Sequence, residues 1–274
     1  MLTLKQDTML GNIPKDWEVK PLKALLESNA PGDWGDDRGE HTFPVLRSTN
    51  LTNERQLDLS DIAMRALKPE KVALLAMRKG DMLLERSGGG PGQPVGRIGF
   101  IPQDMPNHAF SNFLHLLRPN LNEVDPNFLS WVLFRVNRTG RILRLEQQTT
   151  QIRNLNFRDY LTMPLPAPPR EEQAAIARVL DAVDFAIEQA REIIEQSRLL
   201  ARSLALELLE CGIDESGAIR SKNDSSLFQA TELGLIPKSW TVQKLAEIAD
   251  VERGRFSPRP RNDPRFYSGE FPFV

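Results

Sequence analysis

EEQAAIARVLDAVDFAIEQAREIIEQSRLLARSLALELLE, residues 171–210, contains neither proline nor glycine. Its apolar residues step by four and three along Ile176, Leu180, Val183, Ile187, Ala190, Ile194, Ala201, Leu204 and Leu208, and Ser197 alone breaks the stripe. A stripe with this heptad spacing marks a helix that packs along another helix. Glu171 and Glu172 put negative charge in the first turn, where it favours the helix dipole. The pattern predicts a helix over 170–210, on the order of 60 Å long. Each large stripe residue contributes ~1.5–3 kcal/mol when buried, so the stripe needs cover. A second copy of this helix, in the same chain or another, is the expected partner, and the chain is expected to self-associate through 170–210. Packing of the stripe on its own globular part is the alternative, disfavoured because so long a helix outruns a domain of about 150 residues.

The helix is bounded on both sides. Pro164-Leu165-Pro166-Ala167-Pro168-Pro169 breaks the chain before it, and Cys211-Gly212 with the polar stretch 214–229 ends it, as a helix stop and linker should. Beyond the linker the chain repeats itself. Leu10-Gly11-Asn12-Ile13-Pro14-Lys15-Asp16-Trp17-Glu18-Val19-Lys20-Pro21-Leu22 returns as Leu233-Gly234-Leu235-Ile236-Pro237-Lys238-Ser239-Trp240-Thr241-Val242-Gln243-Lys244-Leu245. Phe43-Pro44-Val45-Leu46 is echoed by Phe271-Pro272-Phe273-Val274. The period far exceeds the 20–50 residues of a solenoid repeat, so whole domains are duplicated. The expected layout is a mixed α+β domain over 1–165, the long helix over 170–210, a linker over 211–230 and the opening of a second domain over 231–274.

Composition narrows the function classes. The chain has 274 residues, 40% hydrophobic and 26% charged, with a formal net charge of −2, so any nucleic-acid-binding surface must be local. One cysteine, Cys211, excludes a disulfide framework and a multi-cysteine zinc site, and fits a reducing cytoplasm. No apolar run approaches the ~18 residues of a membrane span, and the N-terminus lacks a signal pattern.

Within 1–165, Phe43-Pro44-Val45-Leu46 reads as a strand running into the polar turn Arg47-Ser48-Thr49-Asn50. Lys79-Gly80-Asp81 is a turn before the short strand Met82-Leu83-Leu84. A glycine-rich loop follows, flanked by Arg86-Ser87 and Arg97. Such loops let backbone approach a ligand closely, although a plain flexible hairpin accounts equally well for the pattern. Asp125-Pro126 opens a helix with a capping residue and proline at its first position, and Leu129, Val132, Leu133 and Val136 mark its buried face. Arg135, Arg138, Arg141 and Arg144 step by three, which predicts a drifting basic stripe. Residues 126–158 hold these four arginines, Arg153 and Arg158 against one acid, Glu146. Arginine favours bidentate contact with phosphate or guanine. The polar run Gln147-Gln148-Thr149-Thr150-Gln151 suits phosphates or base edges. The candidate DNA-binding residues are therefore Arg47, Ser48, Asn50, Arg86, Ser87, Arg97, Thr149, Thr150, Gln151 and Arg153; a solvated helix face is the competing explanation for the basic stripe.

Tests for catalysis find nothing to support an enzyme. The loop lacks the Lys-Ser/Thr of a phosphate-binding P-loop and the spacing of a dinucleotide fingerprint. No G-x-S-x-G elbow occurs, and no Cys/His pairs suggest zinc. Asp81 and Glu85 have no lysine at nuclease spacing. No catalytic site, metal or cofactor is expected.

These segments, taken in order, resemble the specificity subunits of type I restriction–modification enzymes. The resemblance rests on Ile13-Pro14-x-x-Trp17-x-Val19-x-x-Leu22, Arg47-Ser48-Thr49-Asn50 and Gly80-Asp81-Met82-Leu83-Leu84-Glu85-Arg86-Ser87-Gly88. It continues through Ser111-Asn112-Phe113-Leu114, Thr149-Thr150-Gln151-Ile152-Arg153-Asn154-Leu155, and Pro164-Leu165-Pro166 leading to Glu172-Gln173-x-x-Ile176. It implies an α+β target-recognition domain followed by a long spacer helix, with helices pairing antiparallel and each domain reading half of a split double-stranded DNA site. It also implies separate modification (methyltransferase) and restriction subunits as partners. Family members usually carry two complete recognition domains, whereas this sequence holds one and the opening of another, so two chains would have to pair to read a two-part site. Two other classes compete: the recognition portion of a fused restriction–methylation enzyme, and a coiled-coil interaction protein with no DNA role. The arginine-rich region 126–158 argues against the latter.

Overall fold

The computed structural model describes residues 4–90, 93–148 and 153–251. The chain forms two compact units, Met1–Glu188 and Gln189–Val274. Its described residues include the helices α1 (Pro69–Leu75), α2 (Pro126–Arg138), α3 (Phe157–Thr162), α4 (Arg170–Cys211) and α5 (Leu245–Ile248), set among short strands. The fold class is thus α+β with one very long helix, as the sequence predicts.

The first unit is built around a four-stranded antiparallel sheet ordered Leu26–Pro31, Leu114–Pro119, Met82–Glu85, Ile98–Phe100. Side chains alternate across a strand, and here both faces are covered. Met82, Leu84 and Leu117 enter one core with Leu129, Val132 and Leu133 of α2. Leu83, Leu114 and Leu116 enter a second core with Val45, Leu46 and Phe110. The second core is roofed by a smaller sheet in which Thr42–Leu46 lies between Ala109–Phe110 (parallel) and Ala63–Ala66 (antiparallel). The predicted turn before Met82 is present: Gly80 has φ 90°, and the buried Asp81 accepts from the Arg78 amide and from Arg118 at 2.6 Å.

Helix α2 starts as expected. The Asp125 carboxylate accepts from the Phe128 amide at 3.0 Å, and Pro126 occupies the first turn. It does not carry the whole predicted arginine stripe. The helix stops at Arg138, Gly140 turns left-handed at φ 70°, and Arg141–Leu145 forms a separate 3-10 segment. Glycine enters the left-handed region without steric cost, so the stripe divides: Arg135 and Arg138 ride on α2, and Arg141 and Arg144 on the next segment.

The root of α4 is fixed to the first unit. Gln173 is buried; its carbonyl accepts from the Asp125 amide at 2.7 Å and its amide donates to Pro168 at 2.8 Å. Ala177 enters the α2 core and Ile176 packs on it. Two turns on, Asp181 accepts from the Trp131 indole at 2.8 Å and from Arg55 at 3.2 Å, and Asp184 lies 3.9 Å from Arg55. The Arg55 guanidinium stacks 3.7 Å from the Trp131 ring centroid and donates to Ser130. Burial pulls the Arg55 pKa below its usual value, opposed by Asp181 and Asp184. From Val183 onward the stripe is exposed: Val183 53%, Ile187 44%, Ile194 50%, Leu204 41% and Leu208 41%.

In the second unit α4 ends at Cys211, and Gly212 follows with φ 61°. The sequence repeat is a structural repeat. The hairpin Leu4–Thr8/Gly11–Pro14 has its counterpart in Phe228–Thr231/Gly234–Pro237. Thr8 and Thr231 each donate to the turn glycine's carbonyl and accept from the amide two residues on. Gly11 and Gly234 have φ 91° and 97°, and the Trp17 and Trp240 amides donate to Pro14 and Pro237. In the first unit the chain continues as the strand Glu18–Pro21, paired antiparallel with Pro164–Ala167. The echo at 271–274 lies outside the described residues.

Candidate nucleic-acid interface

A groove of about 630 Å³ opens beside a small antiparallel sheet in which Arg153–Leu155 lies between Glu146–Gln148 and Ser87–Gly88. Arg86, Ser87, Asn112, Gln147, Asn154 and Arg158 supply polar lining, and no carboxylate is among the described residues that line it. Residues 85–88 reach this place because the core strand Met82–Glu85 runs directly into the groove-side strand Ser87–Gly88. The Arg86 and Ser87 amides both donate to Phe113 O, at 2.8 and 3.2 Å, and the Ser87 hydroxyl donates to Asn154 Oδ1 at 2.7 Å.

The predicted candidates fall into distinct settings. Arg86 and Ser87 line the groove. Arg153 flanks it and is tied to Glu146 at 3.3 Å. Arg47 reaches Asp61, donating to its carboxylate at 2.9 Å and its carbonyl at 3.0 Å. Asn50 is buried and holds the loop from within: its Oδ1 accepts from the Arg47 amide and its Nδ2 donates to the Asp58 and Asp61 carbonyls. Arg97 is bound still more fully. It grips both oxygens of the buried Glu85 at 2.8 and 2.9 Å and donates to the Leu51 and Ser48 carbonyls at 2.6 and 3.0 Å. Arg97 thereby locks the Ser48–Asn50 turn onto the strand that feeds the groove. A Cβ on Gly88, which has φ 128°, would sit 3.2 Å from Glu85 Oε1 and 3.8 Å from the Ser48 hydroxyl, so the turn and the glycine loop are neighbours. Thr149, Thr150 and Gln151 lie outside the described residues.

Of the predicted candidates, Arg86 is the arginine that meets no carboxylate among the described residues. Its guanidinium lies over the Phe157 ring, 5.4 Å from the centroid. Phe157 in turn packs against His115, ring centroids 4.0 Å apart. Asn156 positions Phe157 by capping α3, its side chain accepting from the Asp159 amide. Sequence reasoning does not reveal this aromatic support; its local signal is the capping residue Asn156 immediately before Phe157, five residues beyond the polar run. Asp81 and Glu85, weighed above for a nuclease, are each engaged by an arginine, Arg118 and Arg97. The described residues hold no cluster of three or more His, Cys, Asp or Glu suited to a metal ion, and no helix of theirs is long and apolar enough to cross a membrane.

His115 sits under this stack, its Nε2 2.9 Å from Asn29 Oδ1. Burial, with the Arg86 charge nearby, pulls its pKa from 6.5 to about 4. Above pH 6.5 the ring is neutral in both folded and unfolded chains. As pH falls from 6.5 toward 4, the unfolded chain binds a proton that the folded chain refuses, so stability drops, by no more than about 3 kcal/mol. Denaturant titrations at pH 7 and pH 4.5 are expected to show this loss, and His115→Asn to reduce it; identical pH slopes in both proteins would contradict the assignment.

Residues 14–196 match the type I restriction modification DNA specificity domain, and the chain belongs to that family. Two proteins of Methanocaldococcus jannaschii are among its relatives. One, named as the MjaX specificity subunit of a type I restriction enzyme, is 25% identical over 241 residues, 87% of this chain and 54% of that protein. The MjaIX specificity subunit is 27% identical over 282 residues, 98% of this chain and 59% of that protein. The chain thus spans little more than half the length of these relatives. A solved structure described under complex assembly and conformational transition of the type I R-M system shares the fold, with a TM-score of 0.53 at 16% identity over 77% of this chain and 53% of that one.

Proposed function

We propose that this chain is a DNA-reading specificity subunit of a type I restriction–modification complex, guiding separate modification and restriction subunits and carrying no methyl-transfer or cleavage chemistry itself. The observation that carries this reading is the groove at Arg86 and Ser87, cationic and amide-lined, in a chain whose net charge is −2. Positive charge concentrated at one concavity of a near-neutral protein is the electrostatic footprint of a nucleic-acid site. The domain over 1–165 is the reader, 170–210 the spacer, 211–230 a linker and 231–274 the opening of a second reader. In the contact set Arg47, Ser48, Asn50, Arg86, Ser87, Arg97, Thr149, Thr150, Gln151 and Arg153, Arg86 and Ser87 face the DNA, while Asn50 and Arg97 shape the turn beside it. The exposed stripe of α4 pairs with the same helix of a second chain, giving two readers in inverted orientation. Work on cellular DNA places such a complex in the cytoplasm.

Salt titration tests the DNA contact. Binding of a fluorescent duplex should weaken with a log–log slope of about −0.9 per neutralised phosphate. Absence of binding even at low salt would sink the reading in favour of a coiled-coil interaction protein.

A further inference from the structure

We propose that Arg86 reads a guanine in the major groove and that Phe157 is the positioning residue that presents it; this rests on the DNA-reading function above and assigns one base to one side chain. Three observations combine. First, Arg86 is half-buried, meets no carboxylate among the described residues, and lines the groove. Arg47, Arg97 and Arg153 are held by Asp61, Glu85 and Glu146, so each would have to break an ion pair to grip DNA. Second, the Phe157 ring holds the guanidinium from one side and is itself wedged against His115. Cation–π support of this kind limits the plane of the fork without occupying its donors. Third, most of the polar lining around Arg86 is amide, from Asn112, Gln147, Asn154 and Asn156, with Asn112 and Gln147 exposed. Amides match base edges and do not neutralise phosphate. Arg158 is exposed on the same groove and is the better placed to meet the backbone.

A planar fork of donors, half-desolvated and lacking an acceptor among the described residues, calls for two acceptors in one plane. Guanine O6 and N7 supply them on the major-groove edge, and this bidentate pairing is the commonest specific contact of arginine. Cytosine presents a donor there, which a guanidinium cannot accept. The lining offers no carboxylate for it among the described residues.

The test takes the duplex that the wild-type chain binds best and every single-base variant of it, and measures affinity for wild type, Arg86→Ala, Arg86→Lys and Phe157→Leu. Wild type should lose on the order of 10- to 100-fold when one particular guanine is replaced. Arg86→Ala should bind all four bases alike at that position and keep its discrimination elsewhere. Arg86→Lys keeps the charge but not the fork, and should lose most of the preference, which guards against a folding defect in the alanine variant. Phe157→Leu should narrow the preference at the same position only. If Arg86→Ala weakens every duplex by one common factor and leaves the base pattern unchanged, Arg86 is a phosphate contact and the proposal is overturned while the DNA-reading function stands. A wild-type chain that binds DNA with no base preference overturns both.

Discussion

Replacing Ile187 and Ile194 together by lysine is expected to abolish the self-association proposed for α4 and leave a monomer. Both residues lie on one face of α4 and are 44% and 50% exposed in the isolated chain. Burying each isoleucine against a partner helix contributes ~1.5–3 kcal/mol, and a two-fold interface uses each position twice. The double substitution removes those contributions and puts four ammonium groups into the seam. Association should weaken by well over 100-fold, about 3 kcal/mol or more. Sedimentation over a range of concentrations would measure it. The melting of the first unit should be unchanged, because the root of α4 is held through Gln173, Ala177 and the Arg55 knot, all upstream of the substitutions. A variant that sediments as the wild type does would mean that this stripe is not the seam.

Arg97→Ala is expected to cost stability first and DNA binding only as a consequence. The Glu85 side chain is 2% exposed and its two oxygens face Arg97. Removing one member of a buried pair strands the other charge, at about 3–5 kcal/mol. The Leu51 and Ser48 carbonyls also lose their donor. Thermal melting should fall by about 10 °C or more. The joint replacement Glu85→Leu with Arg97→Met should recover part of the loss, because a matched apolar pair leaves no unpaired charge. A variant that melts like the wild type yet fails on DNA would place Arg97 in direct contact instead.

These two cases show what the sequence discloses and what it withholds. The α4 stripe was legible because helical periodicity is local: absent glycine and proline, apolar steps of four and three, and a Cys211-Gly212 stop fix it without knowledge of the rest. The duplication was legible because the frame Leu10–Leu22 recurs at Leu233–Leu245; the hairpin that opens each copy had no reading in the sequence and emerges from the strand pairing. The Asp125-Pro126 helix start was legible because, like the α4 stripe, its signal is local. The state of each arginine was not. Arg97 is held by Glu85, Leu51 and Ser48, and Arg47 by Asp61, partners chosen by the way loops fold back. The groove itself joins residues near 86, 112 and 154, which come together only through sheet pairing. Gly140 was the visible warning that the arginine stripe would divide. The Arg55 knot had no local signal, since its partners Ser130, Trp131 and Asp181 lie far along the chain.

The most direct measurement is selection from a random duplex pool by the chain together with the modification subunit proposed as its partner, followed by sequencing of the bound DNA. The account predicts enrichment of a two-part motif with identical halves in inverted orientation, separated by one fixed spacing that the paired α4 helices set. Uniform recovery of the pool, with binding that fades as salt rises and no motif at all, would leave only the phosphate contribution and would contradict the claim that this chain reads sequence.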